Sequence, residues 1–309
     1  MSEPKIVVAG ATGNLGRRIV CHLLAGGADV RAVVRSSTPI EKVEELRARG
    51  VAVVGVDYDD AAGMAEACSG ASCIVSALSG LREVIVDAQT SLLDAAVASG
   101  VQRFIPSDYC IDFTKLESGT NRNFDLRREF RERLDVAPIA ATSILCGMFA
   151  DMLTGKAPII LFKLKRVLYW QNADQLLDFT TIDDAARFTA QAALDPATPR
   201  FLCVAGDQIS ARGLVTVASE VSGEQFTLFR GGSLGRLRRL MKVVKTIAPG
   251  GGALYPPWQG MQYLHNMFGG RAKLTSLDND RYPRLRWTTV REVLAEHLNR
   301  VPTDAAQSH

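Results

Sequence analysis

Three glycines, Gly10, Gly13 and Gly16, follow directly on a short apolar strand read at 4–9 and open a helix read at 14–26. No other feature restricts the fold as tightly. Gly10 permits the tight turn out of the strand, Gly13 lets a phosphate come up against bare backbone, and Gly16 lets the helix pack close on the sheet. The helix start then offers unpaired N–H groups and a positive dipole end to a pyrophosphate. Glycine spacing alone also occurs in turns without a ligand. Its position between a strand and a helix makes Gly10, Thr12, Gly13, Asn14, Leu15 and Gly16 a candidate dinucleotide-binding turn.

The rest of the first half repeats that pattern. Apolar strands read at 29–34, 51–56, 72–77, 102–106 and 139–145, with helical patterns at 39–49, 60–69, 82–99 and 122–134. Continuous apolar strands alternating with amphipathic helices predict an α/β fold, a Rossmann-type doubly wound parallel sheet covered on both faces. The second half predicts a smaller C-terminal α+β substrate lobe. Residues 167–170 and 176–179 read as a hairpin or bent strand pair, 225–229 as a strand, 234–245 as a basic helix, and 258–268 as an aromatic helix. A last helix reads from Thr288 or Thr289 to Asn299, with a disordered tail after it. The expected division is 1–155 for the nucleotide-binding domain, with 175–205 completing its sheet and helices. The lobe takes 206–309, with 156–174 contributing.

With 309 residues and 47% hydrophobic composition, the chain can bury one large core and a smaller one. A net charge of +3 forces no nucleic-acid or membrane partner. The six cysteines are scattered without paired spacing, which suggests a reducing, cytoplasmic setting. The charged start leads straight into the first strand and leaves no room for a signal peptide. The partner expected is a small-molecule substrate, with no metal, and the chain a monomer or homodimer.

The end of the second strand decides the nucleotide. An acid there would accept from an adenosine 2′-hydroxyl; here Arg35 and Ser36 follow Val34, with Lys42 not far beyond. An arginine fork beside hydroxyls suits a phosphate dianion, so NADP(H) is favoured over NAD(H). The alternative is a solvated loop arginine. Asp57 could accept from the adenine amino group or cap the next helix. Ser76, Ala77 and Leu78 close the fourth strand with residues that would pass beside the nicotinamide ribose.

These stretches resemble the NmrA-like, isoflavone-reductase-like branch of the atypical short-chain dehydrogenases/reductases. The resemblance covers essentially the whole chain: the glycine turn, Arg35, the run Arg103 to Tyr109, Leu126 to Glu129, Asp178 to Asp184, and Tyr282 to Thr289. It implies reduction of aromatic ethers or enones with NADPH. It also implies a proton-relaying lysine three residues before Leu126, where this chain has Asn123. An amide can orient a carbonyl but cannot exchange a proton near neutral pH, and acid–base assistance is worth roughly 10²–10⁴-fold in rate. Cys146 stands where relatives often carry a polar amide beside the cofactor. No Tyr-x-x-x-Lys pair is present, since Phe113 follows Tyr109 and Ala173 follows Tyr169 at that spacing.

The remaining candidates follow from position. Ser107, at the C-terminal end of the fifth strand, could bond a substrate carbonyl or cap a turn. Tyr109, His265 or bound water could supply the proton, or each of the two residues could be structural. Met148, Phe149, Trp258, Met261 and Tyr263 could line a pocket for a flat apolar substrate, or form lobe core. The expected function is NADPH-dependent reduction of a small aromatic carbonyl, enone or benzylic compound. The alternative is an NADP(H)-binding sensor that has lost catalysis, favoured by Asn123 and Cys146.

Overall fold

The computed structural model describes residues 3–300. Six strands, β1 (Lys5–Ala9), β2 (Asp29–Val34), β3 (Ala52–Gly55), β4 (Cys73–Ser76), β5 (Arg103–Ile105) and β6 (Ala140–Ala141), form one sheet in the order β3-β2-β1-β4-β5-β6. Every pair in it is parallel. This is the strand order of a doubly wound dinucleotide fold, and it confirms the expected class.

The helices α1 (Asn14–Ala25), α2 (Ile40–Arg47), α3 (Ala61–Cys68), α4 (Gln89–Ala98) and α5 (Arg122–Leu134) alternate with the strands. Side chains of β1 show why such strands read as unbroken apolar runs. Ile6 and Val8 join Ile19, Val20 and Leu23 of α1 on one face. Val7 and Ala9 join Met64 of α3, Leu92 of α4 and Phe130 of α5 on the other. Both faces are buried, so the period-two alternation carries no polar side. The first face is completed from further along: Ala185 and Phe188 belong to α6 (Ile182–Leu194), which lies alongside α1. Arg103 ties that helix down by donating to the carbonyls of Ala192, Ala193 and Asp195, a buried cation at the negative end of the helix dipole.

Three sequence-level elements differ. The expected strand 139–145 splits: β6 stays on β5, while β7 (Ser143–Leu145) turns away after Thr142 and pairs with β12 (Phe201–Cys203). Thr142 marks the switch, its N–H donating to Phe104 and its hydroxyl to Pro199 O at 2.9 Å. The expected helix at 82–99 begins with a π-turn over Glu83–Ala88 before α4. The expected hairpin does not form. After β8 (Met148–Phe149) and β9 (Ile160–Leu161), β10 (Arg166–Trp170) pairs with β9 and β14 (Thr227–Gly232), whereas β11 (Leu176–Thr180) pairs with β8 and β13 (Asp207–Ser210). Gln171, at φ 62°, and an Asx turn from Asn172 to Asp174 redirect the chain between them.

The remaining helices are α7 (Ala211–Ser222), α8 (Leu234–Ile247), α9 (Pro257–Phe268) and α10 (Val290–Arg300). Their apolar faces share a third cluster with Phe113, Phe124, Leu153, Phe179 and Leu214. No helix among the described residues is long and apolar enough to cross a membrane. The tail expected after Asn299 lies, beyond Arg300, outside the described residues.

Candidate coenzyme and substrate site

The glycine turn is sterically enforced. Gly10 has φ 82°, and a Cβ there would stand 2.6 Å from the carbonyl oxygen of Ala77. A Cβ on Gly16 would overlap the carbonyl oxygen of Gly10. Gly13 donates its N–H to that same oxygen at 3.0 Å and caps α1 without a side chain. No acid occupies the first turn of α1, so no side chain of the helix itself neutralises its opening N–H groups.

A cleft of about 660 Å³ starts at this turn, within the usual range for ligand sites. Gly10, Thr12 and Gly13 floor it; Arg35 and Lys42 stand on one side, and Ala77 and Leu78 on the other. Among the described residues neither the Arg35 guanidinium nor the Lys42 ammonium makes a hydrogen bond or ion pair. Tyr58, which the sequence reading passed over, also faces the cleft; burial pushes its hydroxyl up to about 12, with Arg35 pulling the other way. Asn14, Leu15, Gly16, Ser36, Asp57 and Ser76 do not line the cleft. Asp57 accepts the N–H of Ser36 at 3.1 Å and so braces the loop that carries Arg35. The capping role offered for Asp57 falls to Asp60, which accepts from Gly63 N–H at 2.9 Å. Ser76 is fully buried at the end of β4, its hydroxyl without a partner.

From the cleft wall a line of hydrogen bonds runs to α5 and α9. Leu78, on the cleft wall, accepts the Ser107 hydroxyl at 2.6 Å. The N–H of Ser107 donates to Gln89 Oε1 at 3.0 Å, just past the π-turn, and its carbonyl accepts Arg127 Nε at 3.1 Å. Arg127 Nη1 donates to Asn123 O at 3.1 Å, one helical turn back. Asn123 Oδ1 accepts from Arg122 Nε at 3.1 Å, and its Nδ2 donates to Tyr263 Oη at 3.2 Å. An arginine can only donate, so the contact with Arg122 fixes which way the Asn123 amide faces.

Beneath this line lies a buried amide cluster. Asn121 Oδ1 caps α5 through the N–H groups of Asn123 and Phe124 and accepts Gln259 Nε2 at 2.7 Å. Asn121 Nδ2 donates to Asn266 Oδ1 at 3.2 Å. Gln259, Tyr263 and Asn266 share one face of α9, so this face docks on the start of α5.

The structure thus brings Ser107, Asn123 and Tyr263 together and leaves two candidates outside. Tyr109 sits behind the sheet in the cluster with Ile105, Cys146 and Phe188. Its hydroxyl is shut in beside Thr189, and burial pushes its pKa upward. This corrects its candidacy as proton donor. His265 projects from α9 toward α8: its pKa is lowered by burial and then by Arg238, and its Nε2 is buried without a partner. The α9 side chains that hydrogen-bond to the start of α5 are Gln259, Gln262, Tyr263 and Asn266. Cys146 is also buried core, bonded through its backbone to Cys110 and Thr180. Of the pocket residues, Trp258 is closed between Arg122 and Lys245 and donates to Pro249 O at 3.0 Å. Met148 and Met261 pack on the second-lobe cluster, and Phe149 on the sheet cluster.

Sequence reasoning missed Arg127, quoted only as part of a helix marker. The signal was its spacing: four residues past Asn123 puts it on the same helix face. Where the resemblance implied a lysine and the chain carries an amide, a guanidinium stands one turn further on.

The NmrA-like family profile matches residues 2–234, and the chain belongs to that family. Pinoresinol reductase 2 of Arabidopsis thaliana is 30% identical over 210 residues, a stretch spanning 63% of this chain and 66% of that protein. A bifunctional pinoresinol-lariciresinol reductase of Linum album is 24% identical over 95% of this chain and 94% of its own length. The first curated relatives are therefore matched over just under two thirds of their length. The solved structure of AtPrR2 with NADP+ and (+)pinoresinol superposes with a TM-score of 0.82 at 22% identity, covering 96% of this chain and 99% of that one.

Proposed function

We propose that this protein is an NADPH-dependent reductase of a small aromatic carbonyl, enone or benzylic compound. The observation that carries the reading is that the wall of the cleft that begins at the glycine turn is tied, through Leu78, to the hydrogen-bonded line Ser107–Arg127–Asn123–Tyr263. The residues present fit the coenzyme. Gly10 and Gly13 leave backbone open to the diphosphate, and the unpaired Arg35 and Lys42 suit a 2′-phosphate. When bound, the reduced nicotinamide supplies the hydride. The protein's task is to orient the substrate and manage one proton. Relatives named for reduction of pinoresinol and lariciresinol support an aromatic substrate class.

A second reading, a coenzyme-binding regulator without turnover, is favoured by Asn123, whose amide is held at both ends by Arg122 and Tyr263 and cannot titrate. Two measurements separate them. Fluorescence titration with NADPH and NADH is expected to show tighter NADPH binding; equal or absent affinities refute the coenzyme assignment. Following loss of the reduced-nicotinamide absorbance with aromatic aldehydes, enones and quinones is expected to show turnover on one class. Tight binding with no turnover across the panel supports the regulator.

A further inference from the structure

We propose that Arg127 and Tyr263 form a cradle for the oxygen of a conjugated carbonyl, receiving it as an enolate or phenolate, and that Tyr263 delivers its proton. The proposal deepens the reductase reading and rests on it for the hydride. The anion site itself stands on this chain's own groups.

A guanidinium has five N–H donors. At Arg127, Nε is committed to Ser107 O and one proton of Nη1 to Asn123 O, while Nη2 has no partner among the described residues. Arg127 therefore holds a permanent positive charge with donors to spare, and it remains partly exposed. The Tyr263 proton is free by a separate argument. Arg122 fixes the Asn123 amide so that its NH₂ points at Tyr263 Oη, which makes Oη the acceptor of that bond. No other acceptor takes its hydrogen among the described residues, and Tyr263 too is partly exposed. Burial, helped by Tyr255 and opposed by Arg127, keeps this phenol protonated. Arg127 and Tyr263 share Asn123 as a partner, the one donating to its carbonyl and the other accepting from its amide. A cation and an uncommitted hydroxyl proton, both held by Asn123, are the elements that stabilise negative charge developing on oxygen.

A hydride added to the β-carbon of an enone, or to a ring carbonyl system such as a quinone, drives the conjugated π pair onto the carbonyl oxygen. That oxygen, now an enolate or phenolate beside Arg127, takes the proton as the Tyr263 O–H bond breaks. Water returns a proton to the tyrosinate. The substrate gains two electrons and two hydrogens, and the reduced coenzyme is oxidised. Asn123 is a positioning residue here: it cannot donate a proton to the substrate, but it orients the hydroxyl that does.

The test uses the coenzyme-free protein and 4-nitrophenol, whose phenolate is coloured. Bound at the cradle, it is expected to ionise about one pH unit below the free compound, a tenfold preference for phenolate. Arg127→Met is expected to abolish that shift, and Tyr263→Phe to reduce it while Arg127 keeps part. Since Arg127 also ties Ser107 and Asn123, Arg127→Lys and Tyr263→Phe serve if Arg127→Met fails to fold; both are expected to bind with a smaller shift. Unsaturable binding, an unshifted ionisation in the wild type, or a full shift surviving in folded Arg127→Met or Tyr263→Phe would overturn the proposal. NADP+ titration of the same proteins separates the two claims. Loss of coenzyme binding in the wild type defeats the reductase reading, whereas the nitrophenol shift reports on the cradle alone.

Discussion

The Asn123 side-chain amide donates to the Tyr263 hydroxyl at 3.2 Å, bridging the first turn of α5 and the middle of α9. The Asn121 cluster repeats the link one layer deeper, where all three amides are buried. The start of α5 is thereby fixed against one face of α9.

Asn121→Ala removes a helix cap and strands Gln259 and Asn266 at once. Loss of a cap costs roughly 1 kcal/mol and each stranded buried group about 1–3 kcal/mol. A fall of about 3 kcal/mol in urea unfolding is expected, at unchanged m-value. A loss under about 1 kcal/mol would mean that water substitutes for the amide and the latch carries little.

Arg35→Gln tests the nucleotide assignment. A hydrogen bond to a charged partner contributes about 1.5–3 kcal/mol, so NADPH affinity should fall about 10–100-fold. NADH affinity should barely move, because it offers no phosphate at that position. Equal losses for both coenzymes would reduce Arg35 to a general structural role.

Gly16→Ala places a methyl group onto the carbonyl oxygen of Gly10 and must push α1 off the sheet. Overpacking of this kind costs about 1–3 kcal/mol, and coenzyme affinity is expected to fall with it. Gly55→Ala is the control, since a Cβ there meets nothing within 4 Å. Thermal melts and NADPH titrations of the pair should diverge.

His265 gives a pH signature. Its folded pKa lies below the ordinary value of 6.5, through burial and then Arg238. The unfolded chain therefore binds a proton more readily, and the stability His265 contributes above pH 6.5 is lost as pH falls through that value toward its lowered pKa. His265→Gln should flatten this part of a thermal-midpoint profile. An unchanged profile would place the acid sensitivity elsewhere.

The parallel sheet was readable because β1 and β4 are apolar on both faces, and the turn because glycine was required at Gly10 and Gly16. Local pattern could not show where a strand changes partners. Residues 139–145 read as one run, yet Thr142 hands the chain from β5 to β12, a choice made by Pro199 from nearly sixty residues away. The fate of Tyr109 was equally hidden, since the helix that buries it lies about seventy-five residues on, at 182–194. Arg127 was hidden differently. It sits among several arginines on α5, and only the contacts of Ser107 and Asn123 distinguish it from Arg128, which braces Phe113 and Leu116.

Because α6 covers the sheet beside α1, a fragment ending at residue 155 would not be a smaller coenzyme binder. Without Ala185 and Phe188 it would present a greasy flank to water, prone to clump before any nucleotide could rescue it. Truncation libraries should yield few soluble pieces until they extend past Leu194, and whatever alters the later half of the gene will be felt at the first turn.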